Sequence, residues 1–148
     1  MNDRIEKEIV LNAAKARVWK AVSDSQEFGQ WFGVKLEGRF EPGAHVKGRI
    51  LDWPTKAGLL FELFVDQMKP QQLFSFRWHP YAVEASVDYS KEALTLVTFE
   101  LSDVPGGTKL VVVESGFDQV PLERRATAFA RNSEGWAEQL KRIEKHVA

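Results

Sequence analysis

Hydrophobic and polar positions alternate with a period of two at the start of the chain, step by about four through a short stretch, and return to two for most of the middle. Ile5, Ile9 and Leu11 share one side of a predicted strand over 5–11, with Lys7 interrupting and Glu6 and Glu8 on the other side. In "AAKARVWKAVSD" the spacing of Ala14, Val18 and Val22 predicts a helix. Asp24 then suits the N-cap of a second short helix, with Glu27 three residues on as in a capping box. That helix presents Phe28, Trp31 and Phe32, and Gly33 can end it. From Val34 alternation resumes. Strands are expected over 34–40, 46–50, 59–66, 73–79, 93–101 and 109–115, separated by turn-forming stretches such as "EPGA", "MKPQQ" and "SDVPGGT". Short connections between successive strands predict antiparallel pairing.

The tail reads as one amphipathic helix over 121–147. Leu122, Ala126, Phe129, Ser133, Trp136, Leu140, Ile143 and Val147 form its apolar stripe, and Pro121 suits its first turn. The predicted order is strand, two short helices, six strands and one long helix. A meandering sheet must cover its apolar face, and the last helix is the element long enough to do so. The fold class expected is α+β, a curved antiparallel sheet of seven strands around a C-terminal helix.

Length and composition narrow the function. The chain's 148 residues suit a single domain over 1–148, able to bury roughly two-thirds of its unfolded surface. The net charge of −1 offers no global field for nucleic acid, and basic residues are interleaved with acidic ones. Absence of cysteine excludes disulfides and thiolate chemistry. The charged opening "MNDRIEKEIVL" is unlike a signal peptide, and no apolar run reaches the ~20 residues of a membrane span, so a cytoplasmic location is expected. No phosphate-cradling loop, dinucleotide fingerprint or nucleophile elbow occurs, and the three histidines sit on separate elements, so neither a cofactor nor a metal is expected.

Several stretches together resemble one family. "LNAAKARVWKAVSDSQEFGQWF" is similar to the opening of proteins homologous to the activator of the 90-kDa heat-shock protein ATPase, in the SRPBCC (START-like, helix-grip) superfamily. Val18-Trp19 and Gln30-Trp31 stand in place, whereas Ala14 replaces a usual proline and "DSQE" a usual Asp-Pro-Glu-like turn. "GGTKLVVVESGF" and "EGWAEQLKRIEKHV" resemble the family's last hairpin and its Gly-Trp helix. The resemblance implies a sheet gripping the C-terminal helix, often with a cavity between them. In the superfamily that cavity holds hydrophobic ligands and in some members performs cyclisation or hydrolysis.

Candidate site residues follow from the inward faces. The chain carries 10 Phe and 5 Trp. Trp31, Phe32, Phe61, Phe74, Phe76, Trp78, Phe99, Phe129 and Trp136 lie on elements that should converge, either as plain core or as the wall of a pocket. In "KLVVVES", Glu114 shares a strand face with Leu110 and Val112. If that face is the inner one, Glu114 is a carboxylate in an apolar setting, needing donors such as Arg125, Asn132 or the indoles of Trp78 and Trp136. Otherwise it sits in water at the strand end. Ser133 leaves space on the helix stripe. Gly135 lies on the helix flank, where it is expected to shape the helix rather than line a cavity.

Three functions fit these features. The first is binding of a hydrophobic small molecule or lipid. The second is a cyclase- or hydrolase-type enzyme using Glu114 with Arg125 or Asn132. The third is a protein-interaction module, a co-chaperone or a homodimer, with Trp53 in "DWPTK" as its exposed aromatic.

Overall fold

The computed structural model describes residues 3–53, 56–82 and 87–148. Among them, seven strands form one antiparallel sheet in the order β1-β7-β6-β5-β4-β3-β2. These are β1 (Arg4–Leu11), β2 (Val34–Glu37), β3 (His45–Ile50), β4 (Leu60–Lys69), β5 (Leu73–Trp78), β6 (Thr95–Val104) and β7 (Gly107–Ser115). Helices α1 (Lys15–Ser23) and α2 (Ser25–Phe32) follow β1, and α3 (Leu122–Val147) closes the chain. Strands β2 to β7 run as a meander, and β1 completes the sheet beside β7, with Ile5 opposite Glu114. A register shift between Val65 and Gln67 disrupts the β4–β5 ladder, the kind of irregularity that bends a strand.

Local chemistry accounts for the joints. Asp24 accepts the Gln26 N–H at 2.9 Å and caps α2. The second half of the expected capping box is absent: Glu27 turns instead to Arg17 at 2.7 Å and to His146 at 2.9 Å, tying α2 to α1 and to the end of α3. Gly33 ends α2 with φ 89°, a left-handed angle that favours glycine, and a Cβ there would displace the Asp52 and Arg142 side-chain ends.

The inner sheet face supplies Phe74, Phe76, Val97, Phe99, Leu110 and Val112, all fully buried, and α1 and α2 add Val18, Val22, Phe28 and Phe32. Helix α3 contributes Ala128, Trp136, Leu140, Ile143 and Val147. The expected stripe is too long at its N-terminal end, where Leu122 is 76% exposed and Ala126 also faces solvent. In these first turns the half-buried side is that of Arg124 and Arg125 instead. A single 3-10 turn at Phe117–Gln119 precedes them, and its buried Phe117 meets Phe129 edge-on at 5.1 Å. No helix among the described residues is long and apolar enough to cross a membrane.

Candidate functional site

Antiparallel register brings four elements to one buried carboxylate. Trp78 of β5 lies opposite Thr95 of β6, and Val97, two residues on, lies opposite Glu114 of β7. Thr95, Val97 and Glu114 therefore share the inner face. Glu114 is 0% exposed. Its Oε2 accepts from Trp78 Nε1 at 2.7 Å and Thr95 Oγ1 at 2.6 Å, and its Oε1 from Trp136 Nε1 at 2.9 Å. Asn132 Nδ2 reaches both oxygens, at 3.0 and 3.1 Å. Burial pushes the Glu114 carboxyl above its ordinary value, and the hydrogen bonds from these four residues, led by Thr95 and Trp78, pull it back in part. A carboxylate offers about four lone-pair positions, and these donors occupy them. Among the described residues every hydrogen-bond partner of Glu114 is neutral.

Beside this cluster lies a cavity of about 720 Å³, within the ~300–1,000 Å³ usual for small-molecule sites. Phe32 of α2, Ile50 of β3, Phe61 of β4 and Trp78 of β5 line it from the sheet side. Trp53, Lys56 and Leu59 come from the β3–β4 connection, and His79, Tyr81, Val87, Asp88, Tyr89 and Ser90 from the β5–β6 connection. Helix α3 closes it with Arg131, Asn132, Gly135, Trp136, Glu138, Gln139 and Arg142. The aromatic wall is interlocked: Trp78 and Trp136 have ring centres 5.7 Å apart, Phe32 lies 5.9 Å from Trp136, and Phe61 lies 5.8 Å from Trp78.

Two polar devices fix this wall. The Phe32 carbonyl, at the C-terminus of α2, accepts from Trp53 Nε1 at 2.8 Å, Gln139 Nε2 at 3.0 Å and Arg142 Nη1 at 3.0 Å. An orphan carbonyl at a helix C-terminus attracts such donors, a cationic one above all. Arg142 Nη2 also pairs with Asp52 at 2.9 Å. The second device is Arg124, in the first turn of α3. It binds Glu92 Oε1 through Nε at 3.0 Å and Nη2 at 2.7 Å, donates to the carbonyls of Pro80 and Tyr81, and lies 4.8 Å from the Tyr89 ring centre. It thereby holds both described ends of the β5–β6 connection against α3.

Of the residues singled out in the sequence, Phe32, Phe61, Trp78, Asn132 and Trp136 line the cavity. Glu114 stands behind that wall, gripping three of its members. Phe74, Phe76 and Phe99 are fully buried in the core away from it. Trp31 is core as well, its indole donating to the Ala21 carbonyl at 2.8 Å. Arg125 does not meet Glu114: its Nε donates to the Val120 carbonyl at 3.1 Å, just before α3 begins. Phe129 packs on Phe117, and Ser133 is not part of the lining. Trp53 corrects an expectation, being half-buried in the cavity wall rather than exposed. Gly135 corrects another. It lines the cavity, and a Cβ built on it meets nothing within 4 Å. No neighbour needs its bare backbone, so the glycine adds open space. Gln139 and Arg142 were missed because their contacts depend on the bend of α2 into Gly33. Among the described residues no three His, Asp or Glu side chains are grouped to hold a metal ion.

A family profile described as "Activator of Hsp90 ATPase homolog 1-like protein" matches residues 12–148. The chain belongs to this family. Solved structures share its fold. One is protein MLL2253 from Mesorhizobium loti, 23% identical with TM-score 0.75 over 97% of this chain and 95% of that one. Another is the Aha1 dimer from Colwellia psychrerythraea, 16% identical with TM-score 0.72 over 97% and 95%. A third is DynU16, a putative protein of the dynemicin biosynthetic locus, 23% identical with TM-score 0.74, where 99% of this chain spans 47% of that one. At such identities the likeness establishes the fold alone. No curated protein matches the chain in sequence.

Proposed function

We propose that the protein binds a small hydrophobic molecule in the cavity between the sheet and α3. The observation that carries this reading is the aromatic wall of Phe32, Trp53, Phe61, Trp78 and Trp136 around about 720 Å³ of space. Apolar walls with a few placed polar groups are the usual make-up of a ligand site. Membership of a fold that commonly holds hydrophobic ligands supports it. The cyclase or hydrolase reading draws less support. Its proposed acid or base, Glu114, has its lone pairs occupied and lies outside the lining, and its proposed partner Arg125 bonds elsewhere. A general base needs reach to the proton it takes.

The test is thermal unfolding with a panel of fatty alcohols, sterols and bicyclic aromatics. A ligand at a hundred times its Kd stabilises by about 2.7 kcal/mol, a rise in Tm of roughly 5 to 10 °C at this size. Absence of any shift across the panel, with no small molecule carried through purification, would overturn the reading.

A further inference from the structure

At the inner wall of the cavity the indole donors are spent and two amide oxygens remain. The indole N–H groups of Trp78 and Trp136 both go to Glu114, and that of Trp53 goes to the Phe32 carbonyl. Arg142 commits Nη1 to the carbonyls of Trp31 and Phe32 and Nη2 to Asp52. Two side-chain amides of α3 complete that wall, seven residues apart and so on one side of the helix. Asn132 turns its nitrogen to Glu114 and Gln139 turns its nitrogen to the Phe32 carbonyl. Gln139 cannot be reversed without setting its oxygen against the Phe32 carbonyl, nor Asn132 without setting its oxygen against Glu114 in its ionised form. Both amide oxygens are left over. Gln139 is 8% exposed, and its Oε1 is buried with no hydrogen-bond partner among the described residues. Asn132 Oδ1 also accepts no bond among them but is not sealed from the cavity side in the same way.

An unpartnered buried acceptor is costly and uncommon in folded proteins. Here it belongs to a residue that lines a cavity, next to a second acceptor and to indoles whose N–H groups are already engaged. We infer that the ligand is an apolar molecule carrying a hydrogen-bond donor, a hydroxyl or an N–H, which is read by the amide oxygens of Asn132 and Gln139. Acceptor-only groups such as ethers and ketones meet like dipoles at these two oxygens and are disfavoured there. Reaching Gln139 Oε1 requires a small turn of its side chain, and Asn132 Oδ1 is met first. The inference rests on the proposed hydrophobic-ligand function and specifies its substrate class.

Two probes of similar size separate donor from no donor: 2-naphthol and 2-fluoronaphthalene. Partition into a purely apolar site favours the fluoro compound, so a preference for the naphthol requires an acceptor. Affinities are measured by tryptophan fluorescence titration on the wild-type chain and on Gln139→Met, which keeps side-chain length and removes the amide. The wild type is expected to bind 2-naphthol roughly tenfold more tightly, and Gln139→Met to cut that ratio at least threefold. A wild-type ratio of one or below overturns the inference, with no variant needed. A ratio that survives intact in folded Gln139→Met overturns the role of Gln139. Failure of the wild type to bind either probe overturns this inference and leaves the hydrophobic-ligand function to the wider thermal panel, whereas equal binding of both supports that function and rejects only the donor preference.

Discussion

Glu114 concentrates the chemistry of this protein at the scale of one residue. A buried carboxyl is tolerated where hydrogen bonds replace water, and here the replacing groups are themselves the wall of the cavity. Glu114 is therefore a positioning residue that fixes the two indoles and one amide. Glu114→Gln preserves shape but turns one acceptor oxygen into an NH2 donor. Either orientation of that amide faces an indole N–H, of Trp78 or of Trp136. The variant is expected to lose about 1 to 3 kcal/mol of stability, as measured by urea unfolding. The sign of its pH dependence follows from burial. A folded-state pKa raised above the ordinary 4.5 gives stabilisation that is complete below that value and is lost as pH rises through the raised one. The wild-type advantage over Glu114→Gln should thus shrink from about pH 4 upward; an advantage that grows with pH would show the carboxylate, not the acid, to be the favoured buried form. The alternation in "KLVVVES" put Glu114 on the face of Leu110 and Val112 without deciding between an inward position and the strand end in water; register and burial decide it. Thr95 escaped because a threonine at the start of a strand carries no signal until register brings it beside the carboxylate. Arg125 was a helix-wheel neighbour whose long side chain found a nearer acceptor, the Val120 carbonyl.

Among the elements, α3 does most to shape the cavity. Its apolar stripe was readable over Trp136, Leu140, Ile143 and Val147, and misread at Leu122 and Ala126, where the covered side carries Arg124 and Arg125, whose polar ends find carbonyls and Glu92. Gly135 was misread for a related reason. A wheel shows which residues flank the stripe, not that a cavity opens along that flank. Its helical backbone does not demand glycine, and a Cβ has room. Gly135→Ala should therefore raise stability by up to about 1 kcal/mol with affinity for 2-naphthol little changed. Gly135→Leu, reaching into the space, should weaken that affinity severalfold. A destabilised Gly135→Ala would show that the glycine serves the backbone after all. The Arg124 clamp belongs to the same scale. Removing it in Arg124→Ala should speed hydrogen exchange at the described backbone amides of residues 81, 82 and 87–92 by tenfold or more, with the sheet's amides unaffected. Unchanged exchange in the connection would mean that other contacts hold it.

Across the whole molecule the architecture was the most legible feature. Alternating strands with short connections dictated a meander, and one long amphipathic helix had to cover it. What one sequence could not convey is where the packing stays open. The same aromatic residues serve as solid core at Phe74, Phe76 and Phe99 and as cavity wall at Phe61, Trp78 and Trp136. Two connections decide the difference. The β3–β4 segment delivers Trp53, and the β5–β6 segment delivers Tyr81 and Tyr89, each from a stretch whose composition reads only as loop. The five tryptophans provide a direct test of binding in that space. Trp53, Trp78 and Trp136 line the cavity, whereas Trp31 is buried in the core and Trp19 stands on α1. In a 1H–15N spectrum of the labelled protein titrated with 2-naphthol, the indole cross-peaks of Trp53, Trp78 and Trp136 should move together along one binding curve while those of Trp19 and Trp31 stay in place. Movement confined to Trp19 and Trp31, or no movement at saturating probe, would contradict a ligand site between the sheet and α3.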